Sequence, residues 1–163
     1  MKDEGNELLK NGDHLGAVGK YSDALSLDSR NHILYSNRSA ANCHLMRTRD
    51  AVRDAEMCTT LMPTWPKGWL RFGNALIADK QPILARQAFQ NGLKIDNNNQ
   101  EMKTGLLACE PLARAQEQKI QKEKEEEQAK EKAALAAEAE AVLNAEPVIG
   151  IDLGTTYSCV AWW

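Results

Sequence analysis

The sequence predicts an all-α protein built from three copies of a helix–turn–helix unit, because small and large side chains return every 34 residues. The small residues form two sets, Ala17, Ala51 and Ala85, and Gly5, Ser39 and Gly73. Four residues after these alanines stand Tyr21, Ala55 and Phe89. Small residues at fixed points let two helices approach closely, and aromatic residues fill the gap between neighbouring helix pairs. The pattern therefore predicts stacked helical hairpins.

Turn signals fall where these hairpins require them. Asn11-Gly12-Asp13 interrupts the first pair of helices, and Ser29-Arg30-Asn31 separates the first repeat from the second. Pro63-Thr64-Trp65-Pro66 separates the second from the third, which ends at Asn97-Asn98-Asn99. Pro82 suits the first turn of a helix. The repeat phase places Met1 near the fourth position of the first helix, which is therefore expected to be about one turn short.

A capping helix is expected from about residue 100, because the last repeat would otherwise expose an apolar edge. Its expected buried face comprises Met102, Leu106, Leu107 and Cys109. Pro111 predicts a kink or a restart of this helix, since proline removes one helical hydrogen bond. We therefore expect a repeat domain over residues 1–112.

The next segment, residues 113–146, is predicted to be a charged helical linker. It is rich in Glu, Lys, Gln and Ala, and pairs such as Lys122/Glu126 and Glu126/Lys130 support a helix. Leu135 and Val142 are seven residues apart, but no heptad pattern is sustained. A solvated spacer is favoured, with a weak coiled-coil dimer as the alternative. Pro147 is expected to end the helix.

Composition narrows the classes of function. The formal net charge of −3 argues against attraction to nucleic acid or to an anionic membrane surface, and no apolar run is long enough to span a bilayer. The four cysteines are scattered, which favours free thiols and a reducing cytoplasm. No catalytic, metal or cofactor constellation is evident, so the expected molecule is a non-enzymatic monomer or weak dimer without cofactors.

Five polar residues on the first helices of the three repeats suit a ligand with several carboxylates. They are Lys2, Asn6, Asn37, Lys67 and Arg71. Within a helix, residues four apart share a face, so Lys2 joins Asn6 and Lys67 joins Arg71. The amides can donate hydrogen bonds to a carboxylate that the cations neutralise. The alternative is that these side chains are ordinary solvated groups on a scaffold that binds an unrelated peptide.

The 34-residue period over residues 1–98 resembles the tetratricopeptide-repeat (TPR) family. The segments around the five polar residues also resemble the dicarboxylate clamp of chaperone-binding TPR domains, most of all the first TPR domain of heat-shock organising co-chaperones. This resemblance implies that the ligand is the Glu-Glu-Val-Asp tail of heat shock protein 70 or 90. Lys2, Asn6 and Asn37 would hold the terminal carboxylate. Lys67 would take the aspartate side chain, and Arg71 the peptide backbone or a glutamate.

Three further groove positions, Cys43, His44 and Ile77, would contact the residue before the tail. They differ from what the resemblance implies, so the choice between the two chaperones stays open, with heat shock protein 70 favoured by the overall likeness.

The last segment, residues 147–163, has another character. Val148–Val160 reads as strand, glycine turn and strand, and it resembles the opening of the ATPase domain of heat shock protein 70 chaperones. In a full-length parent, that resemblance implies nucleotide contacts by Asp152, Thr155, Thr156 and Tyr157. A lone hairpin cannot close such a site, so we expect no ATP binding by this chain. The alternative function is therefore the N-terminal arm of a TPR-fused ATPase chaperone, of which this chain would be a fragment.

Overall fold

The structure, a computed structural model, describes residues 1–144 and forms seven helices and no strand within that range. In chain order they are α1 (Lys2–Lys10), α2 (His14–Leu27), α3 (His32–His44), α4 (Thr48–Leu61), α5 (Pro66–Ala78), α6 (Pro82–Ile95) and α7 (Gln100–Asn144). The all-α prediction is confirmed. α1 has 9 residues where α3 and α5 have 13, so the first helix is short as expected. The predicted β-like segment and the helix end at Pro147 lie outside the described residues.

Each hairpin turns through a residue with left-handed backbone geometry. These residues are Gly12, Met46 and Lys80, with φ of 83°, 58° and 59°. They too are spaced by 34 residues (46 − 12 = 34 and 80 − 46 = 34). Glycine adopts this conformation without cost, whereas a residue with a Cβ is strained there by roughly 1 kcal/mol or more. The repeat is thus regular in backbone shape even where the residue type changes.

Local side chains set where the helices begin. Asp13 caps α2 by accepting a hydrogen bond from the Gly16 N–H at 2.8 Å, and Asn31 accepts from two N–H groups at the start of α3. Pro66 and Pro82 occupy the first positions of α5 and α6, where the missing N–H is no loss.

The core explains why small and aromatic residues alternate in phase. A Cβ added to Gly5 would lie only 2.7 Å from the buried Tyr21 ring, and one on Gly73 would collide with the Phe89 ring. The second repeat has Ala55 in the aromatic column and therefore has room for Ser39. The Ser39 hydroxyl donates a hydrogen bond to the Ala51 carbonyl oxygen at 2.8 Å.

A buried ion pair joins α3 to α4. The Arg38 guanidinium donates two hydrogen bonds to the Asp54 carboxylate, at 2.7 and 2.9 Å, and Asn42 donates a third at 3.1 Å. Arg38 also reaches the Ser22 hydroxyl of α2 at 3.0 Å. Because Asp54 is buried, these donors replace the water that its charge has lost.

The capping role of α7 is confirmed, but its predicted face is partly wrong. Met102 and Cys109 are fully buried and Leu106 is packed against the same core, whereas Leu107 is 75% exposed. The buried stripe instead continues to Ala113. One residue along a helix turns the side chain by about 100°, so Leu106 and Leu107 cannot both face a narrow contact.

Of the two outcomes predicted at Pro111, a kink or a restart, the restart is wrong, because α7 runs unbroken through that residue. Cys109 and Ala113, on either side of the proline, are both buried. Arg86 of α6 forms ion pairs with Glu110, at 3.8 Å, and with Glu117. We attribute the continuity to this packing on both sides, which offsets the roughly 3 kcal/mol cost of an internal proline.

Residue contacts divide the chain into one unit, Met1–Gln121, and a second that begins at Lys122. Where the second unit is described, its side chains are exposed, and Leu135 and Val142 are 61% and 72% exposed. Lys122 and Glu126 form the expected ion pair at 3.8 Å. Among the described residues, no helix combines the length and apolar character that a membrane span requires.

Candidate functional site

The five predicted site residues lie on the first helix of each repeat. Lys2 and Asn6 are on α1, Asn37 is on α3, and Lys67 and Arg71 are on α5. α3 contacts both of the other helices. The two lysines are exposed, whereas the asparagines and Arg71 are half-buried.

Asn6 is oriented as a hydrogen-bond donor. Its Oδ1 accepts two hydrogen bonds, from the Tyr21 hydroxyl at 2.8 Å and from the Asn37 Nδ2 at 3.0 Å. With the carbonyl oxygen occupied, the Asn6 Nδ2 is the group left to donate to a ligand. The bond between Asn6 and Asn37 also brings the first and second repeats together at this point.

Tyr21 contacts the candidate site, a connection that the sequence reasoning missed. The 34-residue pattern identified it only as a core aromatic, yet its hydroxyl fixes the Asn6 amide. Burial raises the pKa of the Tyr21 phenol, which keeps the hydroxyl protonated and able to donate. The sequence feature that could have identified it is its position in the repeat. Tyr21 lies one helical turn after Ala17 and pairs with the small residue Gly5, which directly precedes Asn6.

Lys67 and Arg71 line one cavity of about 710 Å³ between the start of α5 and the start of α7. Neither forms an ion pair within residues 1–144. The Arg71 Nε is buried and has no hydrogen-bond partner there. A buried donor without a partner costs about 1–3 kcal/mol, so a ligand oxygen at this point would relieve that cost.

The structure brings four of the five residues together in two pairs, Asn6 with Asn37 and Lys67 with Arg71. Lys2 lies one helical turn before Asn6, and in the part of the chain described its side chain forms no hydrogen bond or ion pair with the other four. The candidate nucleotide contacts Asp152, Thr155, Thr156 and Tyr157 lie outside the described residues.

The three further groove positions have distinct surroundings. Burial raises the pKa of the Cys43 thiol, and the nearby Arg71 guanidinium opposes that shift. His44 stacks on His14 of α2 with the ring centroids 4.4 Å apart. Ile77 lines a mostly apolar cavity of about 260 Å³ with Leu112 of α7. Cys43, on α3 of the second repeat, therefore lies near Arg71 of the third repeat.

Three helical hairpins whose first helices carry this open, polar site define a helical-repeat protein. No family model matches the chain. Curated relatives include the "Heat shock protein sti1 homolog" of Schizosaccharomyces pombe, 43% identical over 68% of this chain, and the "Hsp70-Hsp90 organizing protein" of Triticum aestivum, 40% identical over 70%. These matches span about a fifth of each relative, 19% and 20% of its length.

Solved structures agree on the fold. The Sgt2 TPR domain from Aspergillus fumigatus is 31% identical, with a TM-score of 0.65 over 68% of this chain and 74% of that chain. The chain therefore belongs to the tetratricopeptide-repeat family. The second TPR domain of human RPAP3, in complex with the HSP70 peptide SGPTIEEVD, is 26% identical with a TM-score of 0.65 and covers 67% and 91% of the two chains. Within the family, this chain is thus similar to co-chaperone TPR domains.

Proposed function

We propose that this chain is a chaperone-associated binding module that holds the acidic C-terminal tail of heat shock protein 70 or 90. Lys2, Asn6 and Asn37 would bind the terminal carboxylate. Lys67 would bind the side chain of the last aspartate, and Arg71 the peptide backbone or a glutamate. The observation that carries the proposal is the set of donors left unused: the Asn6 Nδ2, the buried Arg71 Nε and the unpaired Lys67 ammonium. Carboxylate oxygens are the acceptors that match all three.

The comparisons support this choice of ligand. The relatives include an "Hsp70-Hsp90 organizing protein", and the RPAP3 domain holds a peptide that ends in Glu-Glu-Val-Asp. Cys43, Cys58 and Cys109 are free thiols, which suits the cytoplasmic setting that we infer for such an encounter. For a short peptide held mainly by charge, we expect a dissociation constant on the order of micromolar that weakens with salt.

Calorimetric titration with a peptide ending in Glu-Glu-Val-Asp, beside the same peptide with an amidated C-terminus, tests the proposal. Binding of the free acid alone supports a carboxylate clamp, and equal binding of both peptides contradicts it. Separate tails from heat shock protein 70 and heat shock protein 90 decide which chaperone is preferred.

Charge reversal at Lys67 gives the sharper test. Lys67→Glu should weaken free-acid binding by at least about tenfold, because it replaces attraction by repulsion inside the cavity. Asn37→Ala should also weaken binding. Because the half-buried Asn37 amide donates a hydrogen bond to Asn6, the folding of this variant must be checked by thermal melting. Lys94→Glu is the matched control. That exposed lysine lies on α6, the second helix of its repeat, outside the cavity that Lys67 and Arg71 line, and its reversal should have little effect.

A second candidate role is favoured by the motif in Val148–Val160, outside the described residues: the N-terminal arm of a TPR-fused heat shock protein 70 chaperone. Sequencing the native transcript beyond codon 163 tests it. A complete ATPase domain in frame would support this role, and a stop codon would leave only the binding module.

A further inference from the structure

The cavity beside Lys67 has walls of opposite charge. Lys67 and Arg71 contribute cations from α5. Asp96, the residue after α6, and Glu101, in the first turn of α7, contribute the carboxylates of what we call the α7 wall. Trp65, which precedes α5, also lines this cavity, and its ring makes an edge contact with the His32 ring, with the centroids 4.9 Å apart. A ligand that carries only carboxylates would be attracted by one wall and repelled by the other.

The two walls do not neutralise each other. No ion pair within 4.0 Å joins either cation to either carboxylate in residues 1–144. The Asp96 carboxylate is fixed by the Asn98 N–H at 3.2 Å and the Asn99 Nδ2 at 3.3 Å. Glu101 is exposed, and its carboxylate makes no hydrogen bond in the described part of the chain. Its charge is therefore available to a bound molecule.

We propose that the α7 wall of this cavity is a cation subsite that determines ligand specificity. A basic side chain next to the acidic end of a peptide would lie between the Trp65 ring and the Asp96 and Glu101 carboxylates. Aromatic faces and carboxylates both attract an ammonium or guanidinium group. A further carboxylate at the same place is disfavoured. This inference rests on the proposed function, because it specifies which class of peptide the same groove binds.

A double-mutant cycle between protein and peptide tests this inference. The probes are three free-acid octapeptides of otherwise identical sequence, ending in Glu-Glu-Val-Asp, Lys-Glu-Val-Asp and Glu-Lys-Val-Asp. The measured quantity is the ratio of dissociation constants, glutamate peptide over lysine peptide, for the native chain and for Glu101→Gln. At one of the two positions, Glu101→Gln should lower this ratio about twofold to fivefold, the range for partly exposed charge pairs.

Controls separate a local effect from a general one. Glu56→Gln removes an exposed carboxylate from α4, away from the cavity, and should leave the ratio unchanged. The effect of Glu101→Gln should shrink at high salt, since exposed charges are screened. Because Glu101 lies in the first turn of α7, thermal melting must show that Glu101→Gln is folded.

The outcomes are distinct. A ratio that stays the same in Glu101→Gln at both positions, or that falls equally in Glu56→Gln, overturns the cation subsite while leaving the clamp intact. If the native chain binds none of the three peptides, both the proposed function and the cation subsite are wrong.

Discussion

At the scale of single residues, the orientation of one amide decides what the site can bind. An asparagine can donate or accept, and only its neighbours fix which group faces the ligand. Here the hydroxyl of Tyr21 and the amide of Asn37 both donate to the Asn6 Oδ1. A core aromatic thereby acts on a surface site that its ring does not reach.

Tyr21→Phe isolates that effect, because it removes the hydroxyl and keeps the ring. The Asn6 amide should lose one of its two anchors, and peptide affinity should fall about twofold to tenfold, matching a hydrogen bond worth about 0.5–1.5 kcal/mol. Calorimetry measures the affinity and thermal melting the stability. Tyr35→Phe is the control, since the Tyr35 hydroxyl forms none of the hydrogen bonds found here. Unchanged affinity in Tyr21→Phe would show that Asn6 does not need this anchor.

The cysteines give a labelling experiment with a defined pH dependence. Burial raises the pKa of Cys58 to about 11 and also raises that of Cys43, so both thiols are mostly protonated at pH 8 and alkylation should accelerate as the pH rises. Cys58 and Cys109 are fully buried, so iodoacetamide should modify half-buried Cys43 before either of them. Mass mapping identifies the labelled site.

A bound acidic peptide should slow the labelling of Cys43, because this residue lies near Arg71 in the groove. Chain unfolded in guanidinium is the control and should be labelled at every cysteine. If the peptide binds without protecting Cys43, the ligand does not pass the second repeat as proposed.

At the scale of the elements, the hairpin turns show what a sequence pattern can and cannot reveal. Gly12 marks its turn plainly, because glycine favours left-handed geometry. Met46 and Lys80 adopt the same geometry without any such signal. The packing of the helices on either side imposes their conformation. The intrinsic preferences of methionine and lysine do not predict it. The same holds for Pro111, where packing overrides a strong local signal.

Met46→Gly should therefore stabilise the domain by about 0.5–1 kcal/mol. It relieves the strain of a left-handed residue, and the Met46 side chain is 78% exposed, so little burial is lost. Chemical denaturation measures the change. Ser29→Gly is the matched control: Ser29 is also an exposed turn residue, but its φ is not positive, so glycine there should bring no gain. Equal effects at both positions would mean that strain at Met46 is negligible.

At the scale of the whole molecule, the repeat architecture was predictable and the site only partly so. Spacing alone predicts the hairpins, because a period of 34 residues survives changes in individual residues. Of the five site residues, that period relates only Asn37 and Arg71 (71 − 37 = 34). The complete set rests on the four-residue pairs and on the resemblance to the dicarboxylate clamp. The repeat spacing cannot predict the hydrogen bond between Asn6 and Asn37, the Arg71 Nε without a partner, or the carboxylates of the α7 wall. These features depend on distances between residues that are far apart in the sequence.

Ala51 tests how tightly the middle repeat joins its neighbours. Ala51→Leu should lower the free energy of unfolding by about 1–3 kcal/mol, because the residue is fully buried and its carbonyl oxygen accepts the Ser39 bond. Urea denaturation gives the value. Ala78→Leu, on an exposed position of α5, should change stability by no more than about 0.5 kcal/mol. A small loss at Ala51 would indicate that the repeats separate more easily than their packing implies.

The hydrogen bond from Asn37 to Asn6 also bears on the order in which the domain comes apart. In a stacked array each repeat contacts only its neighbours, so a terminal repeat opens before the middle one. A peptide tail that binds donors on α1, α3 and α5 at the same time would hold the three repeats together. On binding, amide hydrogen exchange would then slow most in α1 and α2. In the free domain the first hairpin would unfold at a temperature at which the bound domain is still fully folded.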